Sequence, residues 1–180
     1  RMPNEMTRRH FVQAGMAAAA LSIAPKNSYG ANERIRLGFI GVANRGGQLI
    51  QATLPHGDAE IVALCDVDAR PLDKRAGKLP GKVDLYRDYR QMLDRKDIDA
   101  VVIATPDHWH ALQTVDACEA GKDVYVEKPL SLTIHEGRRM VEAARRTQRV
   151  VQVGLHRRGG QMFEELAGLI QKNTLGKVTF

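Results

Sequence analysis

Ile35-Arg36-Leu37-Gly38-Phe39-Ile40-Gly41-Val42-Ala43-Asn44-Arg45-Gly46 is the stretch on which the fold turns. A short apolar run ends in glycine, a tight polar turn follows, and Arg45 to Leu54 reads as a helix stopped by Pro55. The same alternation repeats outward from it. Ile61 to Leu64 is a second apolar run, followed by a helical stretch that Gly77 and Pro80 interrupt. Ala100 to Ala104 forms a third, followed by a long helix from His108 to Ala120 that Gly121 ends. Val124 to Val126 forms a fourth, and a helix from Ile134 to Arg146 leads to Val150 to Val153. Short β-branched runs separated by helices imply parallel strands, because parallel neighbours need a long crossover between them. The expected fold class is α/β, a doubly wound parallel sheet with strands buried on both faces.

Bulk properties narrow the function. The 180 residues suffice for one domain with a real core, and no apolar run approaches the ~20 residues of a membrane-spanning helix. The formal charge of +6 is uneven: Arg1, Arg8, Arg9 and Lys26 against Glu5 place +3 of it in the first thirty residues. The remaining +3 is scattered among acidic residues, with no basic stripe and few aromatics, so nucleic acid is not an expected partner. Cys65 and Cys118 lack metal-type spacing and read as buried free thiols. His108 and His110 have no evident third ligand, so no metal site is expected. Asp68 reads as a helix cap with Arg70 a solvated neighbour, and Tyr86 and Tyr89 as packing residues.

Residues 1–30 read as an address. Arg8-Arg9-His10-Phe11 precedes an uncharged Ala-rich stretch from Ala14 to Ala24, and Ser28 and Gly30 suit the −3 and −1 positions of a cleavage site. The paired arginines resemble the twin-arginine signal of bacteria, which implies the twin-arginine export machinery as a partner and a periplasmic or otherwise exported location. At the other end, residues 155–180 read as the start of a truncated C-terminal domain: Met162 to Lys172 as a helix, and Lys177 to Phe180 as a strand with nothing after it to pair with. Residues 31–154 form the nucleotide-binding domain between them.

The turn Gly41-Val42-Ala43-Asn44-Arg45-Gly46 sits where a dinucleotide fingerprint belongs, between strand and helix. Gly41 makes the tight turn, Gly46 lets helix pack on strand, and Ala43 stands where the fingerprint has its second glycine. The helix that Arg45 opens presents free N–H groups to a pyrophosphate. Asp66 ends the second strand twenty residues beyond Gly46, placed to accept hydrogen bonds from the adenosine ribose hydroxyls. A carboxylate there repels a 2′-phosphate, so NAD is expected, with NADP disfavoured.

Two further segments, Ala104-Thr105-Pro106-Asp107-His108-Trp109-His110 and Tyr125-Val126-Glu127-Lys128-Pro129-Leu130, each follow a strand. With the glycine turn, they resemble the glucose-fructose oxidoreductase/inositol dehydrogenase/rhizopine catabolism (Gfo/Idh/MocA) family, over roughly residues 34 to 180. The resemblance implies a Rossmann domain followed by an α+β substrate domain, which supplies the sugar contacts and a homo-oligomer interface. It implies Lys128 as the catalytic residue at the nicotinamide, its ammonium bonded to the substrate oxygen. Glu127 would hold the nicotinamide ribose or position the lysine, and Pro129 would fix a turn that a cis peptide suits. Thr105 and Pro106 would pass under the cofactor, Trp109 would cover the nicotinamide, and His110 matches the histidine opening the next helix. His156 stands where the family often has asparagine. Arg157 and Arg158 are candidate substrate contacts.

Three readings follow from these residues. The first is an oxidoreductase transferring hydride to and from a sugar or polyol. The second is an NAD-dependent glycosidase that oxidises a hydroxyl transiently. The third, a non-catalytic nucleotide-binding module, predicts an impaired lysine site, whereas Lys128 is present. An exported enzyme that folds around NAD before crossing the membrane would carry its cofactor along and regenerate it in each turnover.

Overall fold

A computed structural model of the chain describes residues 34–155, 160–172, 174 and 176. The export signal expected over 1–30, His156, Arg157, Arg158 and the strand expected from Lys177 lie outside the described residues.

Six strands form one parallel sheet: β1 Ile35–Ile40, β2 Ala59–Cys65, β3 Asp84–Tyr86, β4 Ala100–Ile103, β5 Asp123–Glu127 and β6 Val151–Gly154. Their order is β3-β2-β1-β4-β5-β6. Among the described residues six α-helices accompany them: α1 Arg45–Thr53, α2 Ala69–Ala76, α3 Tyr89–Leu93, α4 His110–Glu119, α5 Ile134–Thr147 and α6 Gln161–Gln171. The chain winds from β1 out to β3, then returns to the other side of β1 at β4. The crossovers after β1 and β4 therefore diverge and leave a crevice at the C-terminal ends of the central strands, the place where open α/β sheets take ligands.

Strand periodicity divides the core between the two faces. Phe39, Leu64 and Val102 point to one side and pack with Ile50 of α1 and Leu72 of α2. Ile40, Cys65, Val101, Ile103, Val124 and Val126 point to the other, against Met92 of α3, Ala117 of α4 and Met140 of α5. Each fully buried aliphatic or aromatic side chain contributes ~1.5–3 kcal/mol, so both faces must be covered for the sheet to hold. The expected doubly wound architecture is what the chain adopts.

The differences from the sequence reading are local. β3 and α3 carry too few residues, three and five, for a periodic signal, and neither was expected. The helix expected from His108 instead begins with a single 3₁₀ turn at Asp107–Trp109, α-helical geometry starting at His110. Pro106 immediately precedes that turn, and its carbonyl accepts the Trp109 N–H at 2.9 Å. Asp68 caps α2 through the Arg70 N–H at 3.0 Å, but Arg70 also folds back onto the same carboxylate. Both cysteines are free and buried. At the opposite edge of the sheet the buried Lys122 donates from Nζ to the carbonyls of Arg95, at 2.6 Å, and Ile98, at 2.8 Å.

Candidate cofactor and active site

The glycine turn is shaped by close approach. Gly41 has φ +82°, and a Cβ there would lie 2.8 Å from the Ala104 carbonyl oxygen and 2.9 Å from the Thr105 nitrogen. Only glycine combines that backbone conformation with contact to the neighbouring strand end. A Cβ on Gly46 would fall onto the carbonyl of Gly41, so the last glycine of the motif lets α1 begin against β1. Ala43, in place of the middle glycine, is exposed and lines a cavity of about 600 Å³. Asn44 makes no side-chain cap bond to α1. The Asn44 side chain thus leaves the N–H groups of the first turn uncapped, with the helix dipole behind them.

Asp66 stands opposite this turn. Its Oδ2 accepts from the Val42 N–H at 2.9 Å, and its Oδ1 from the Asp68 N–H at 3.0 Å. The carboxylate is thus fixed at the mouth of the larger cavity, beside Ala43, Thr105 and Arg87. Trp109 lines the same cavity. Arg87 and Arg90, on the wall past β3, were not singled out from the sequence. The short strand that brings them there gave no signal.

The second half of the crevice is a cavity of about 390 Å³ lined by Asn44, Arg45, Glu127 and Lys128, with Ala104 and Thr105 shared between the two. Glu127, at the end of β5, is only 4% exposed. Its Oε1 accepts from Arg45 Nε at 2.7 Å and from the Tyr125 hydroxyl at 3.4 Å, and its Oε2 accepts from the Lys128 N–H at 3.3 Å. The Lys128–Pro129 peptide is cis. The Lys128 side chain is exposed, on the rim of this cavity.

His110 is buried, at 1% exposure. Its Nδ1 lies 2.7 Å from the Pro129 carbonyl oxygen and its Nε2 2.9 Å from that of Thr105. The ring thereby joins the loop after β4 to the loop after β5. Thr105 is held further by its hydroxyl, which donates to Gln113 Oε1 at 2.7 Å. Both ring nitrogens of His110 face carbonyl oxygens. Among the described residues no group of three or more His, Cys, Asp or Glu side chains is placed to hold a metal.

The structure thus brings Gly41, Ala43, Asn44, Arg45, Gly46, Asp66, Thr105, Pro106, Trp109, His110, Glu127 and Lys128 to one edge of the sheet. The arrangement fits a dinucleotide: two adjoining cavities, an anion-binding turn between them, a carboxylate on one side and an ammonium on the other.

Comparison with known proteins agrees with this site. Residues 35–155 match the Gfo/Idh/MocA family model, described as an oxidoreductase family with an NAD-binding Rossmann fold, and the chain belongs to that family. Among curated proteins it is 35% identical over 173 residues to an alpha-N-acetylgalactosaminidase of Shewanella oneidensis, a match covering 79% of this chain and 38% of the relative. It is 34% identical over 172 residues to glycosyl hydrolase family 109 protein 1 of Shewanella sp. strain MR-4, with the same coverage. The chain therefore spans about two fifths of the length of these relatives.

Among solved structures it is similar to myo-inositol 2-dehydrogenase from Lactobacillus plantarum. That match has a TM-score of 0.75 and 26% identity, and covers 81% of this chain and 43% of the other. The WlbA dehydrogenase from Bordetella pertussis, solved with NADH and UDP-GlcNAcA, gives a TM-score of 0.73 and 27% identity, covering 80% and 44%. NAD is the cofactor of this domain.

Proposed function

We propose that the full-length protein hydrolyses a glycoside by transient oxidation of a sugar hydroxyl. One conjunction carries this reading: a dinucleotide crevice with Lys128 at its rim, in a chain whose curated relatives bear hydrolase names. NAD⁺, when bound, would supply a hydride acceptor for the carbinol carbon, whose hydroxyl proton would pass to a base from outside this domain. Lys128 donates a hydrogen bond to the oxygen as negative charge grows on it, a contribution of the kind worth about 10²–10³ in rate. The ketone so formed acidifies the neighbouring C–H, whose loss expels the aglycone. Water then adds, and hydride and proton return. The net reaction is glycoside plus water to sugar plus alcohol, with no net redox.

Arg45 and Glu127 act here by position. Their pair anchors the residue before Lys128 to the first turn of α1, and so sets the ammonium relative to the turn that binds pyrophosphate. The test is release of nitrophenol from a nitrophenyl N-acetylgalactosaminide by the full-length protein. Turnover is expected without accumulation of reduced cofactor at 340 nm, to cease when NAD is stripped, and to return when it is restored. Hydrolysis that survives stripping would overturn the reading.

The solved dehydrogenases favour a second reading, net oxidation of a free sugar or polyol. Under it the same assay shows no nitrophenol, and free sugars generate NADH stoichiometrically.

The organisation proposed for the whole chain is an export signal over 1–30, the nucleotide domain over 31–154 and a substrate domain from 155. Under this scheme the protein is exported folded, with NAD retained, and a homo-oligomer forms through the substrate domain. Acid release of one NAD per chain from protein purified from the periplasm supports it. Protein found only in the cytoplasm counts against it.

A further inference from the structure

Arg75 lies in the last turn of α2 and is not among the residues lining the two cavities. Its Nε donates to the Val42 carbonyl at 3.1 Å, and its second guanidinium nitrogen donates to the Ala43 carbonyl at 2.6 Å. These are consecutive carbonyls of the turn, gripped by one planar fork. The guanidinium also occupies the space beside Gly47: a Cβ added there would overlap three of its atoms. Gly47 lies outside the dinucleotide fingerprint, and no turn or positive φ demands a glycine at that position. The space it leaves is filled by Arg75.

We propose that Arg75 is a positioning residue for the cofactor, a brace that fixes the peptide planes of the pyrophosphate-binding turn, and that Gly47 is the seat it needs. The two carbonyls are both engaged by the guanidinium. Peptide planarity then fixes the directions of the N–H groups of Ala43 and Asn44. From the other side Asp66 takes the Val42 N–H. The turn is therefore held between a cation that accepts no hydrogen bonds and a carboxylate that donates none. A turn pre-set in this way binds a pyrophosphate without having to order first, which raises affinity. The positive charge of Arg75 adds to that of the helix end.

The test is NAD⁺ affinity of the full-length protein, measured by calorimetry beside the melting temperature of the NAD-free form. Arg75→Met keeps the stem and removes the donors. Two charge-assisted bonds predict a loss of affinity of about tenfold or more, with far-UV circular dichroism unchanged. Arg75→Lys retains the charge without the fork and is expected to recover only part of the loss. Gly47→Ala is expected to weaken NAD⁺ binding like Arg75→Met, and to have no further effect when combined with it, because the alanine then meets no guanidinium.

Arg75→Met binding NAD⁺ within twofold of the parent would overturn the proposal. So would full recovery by lysine, which would assign the effect to charge alone, and so would additive losses in the double variant. If the unmutated protein itself bound no NAD⁺, the cofactor assignment would fail before any statement about Arg75.

Discussion

Arg45 Nε donates to Glu127 Oε1 across 2.7 Å, joining residues 82 apart in the chain. The pair closes the smaller cavity from behind and connects the turn that receives pyrophosphate to the loop that carries Lys128. Glu127 is buried, whereas Arg45 is one-third exposed. Removing the arginine therefore leaves a buried carboxylate without this partner, a costlier change than neutralising both residues together. Arg45→Met is expected to destabilise the protein by about 2 kcal/mol. The double variant Arg45→Met with Glu127→Gln is expected to recover part of that loss, read from urea midpoints.

Asp66 holds the Val42 N–H as well as facing the larger cavity, so the choice of replacement matters. Asp66→Asn keeps an acceptor for that N–H and removes the negative charge. Its NAD⁺ affinity is expected to fall modestly while NADP⁺ affinity rises, moving the ratio of the two dissociation constants by about tenfold. Asp66→Ala is expected to weaken both, because the turn loses an anchor. An unchanged ratio in Asp66→Asn would remove Asp66 from cofactor selection.

Lys128 contributes its backbone N–H to Glu127, while its side chain sits exposed on the rim. Lys128→Ala should leave the fold intact and NAD⁺ binding within about threefold, and lower turnover of the full-length protein by about 10²-fold or more. Equal turnover of the variant and the parent would exclude a catalytic lysine under either enzymatic reading.

Burial, with the charges of Asp66 and Asp88 adding to it, pushes the Cys65 thiol up from its ordinary 9.0 to about 12. Burial and the bond to Asp116 push Tyr89 up from 10.0 to about 12. Both groups are protonated in the fold and ionise earlier in the unfolded chain. Their stabilising effect is whole below pH 9 and is lost as pH rises toward 12, at up to ~1.4 kcal/mol per pH unit for each group that has begun to titrate. Between pH 9 and 10 the cysteine dominates. Cys65→Ala should flatten the fall of melting temperature in that interval, whatever it does to stability at pH 7.

The legible part of this protein was the part written in neighbouring residues. The apolar runs at 35–40, 100–104 and 124–126 each announce a buried strand, and a glycine turn or an ionisable side chain directly after such a strand announces the ligand edge. What escaped was contact at a distance. Arg75 carries no local signal, and only the crossover brings it against Val42 and Ala43. Glu127, expected to hold the nicotinamide ribose or to position the lysine, takes a partner from α1 that nothing in its own neighbourhood announces. Trp109 ends the 3₁₀ turn after β4 and lines the cavity that Asp66 also lines. β3 was lost for a different reason: three residues on an edge need no apolar pattern of their own when β2 supplies the pairing.

The bridge made by His110 has one more consequence. With its two ring nitrogens lodged against the carbonyls of Thr105 and Pro129, the loops after β4 and β5 cannot drift apart independently. A shift of Thr105, which lines both cavities, is therefore passed through the imidazole to the segment that follows Lys128, and the two walls of the crevice yield together or not at all.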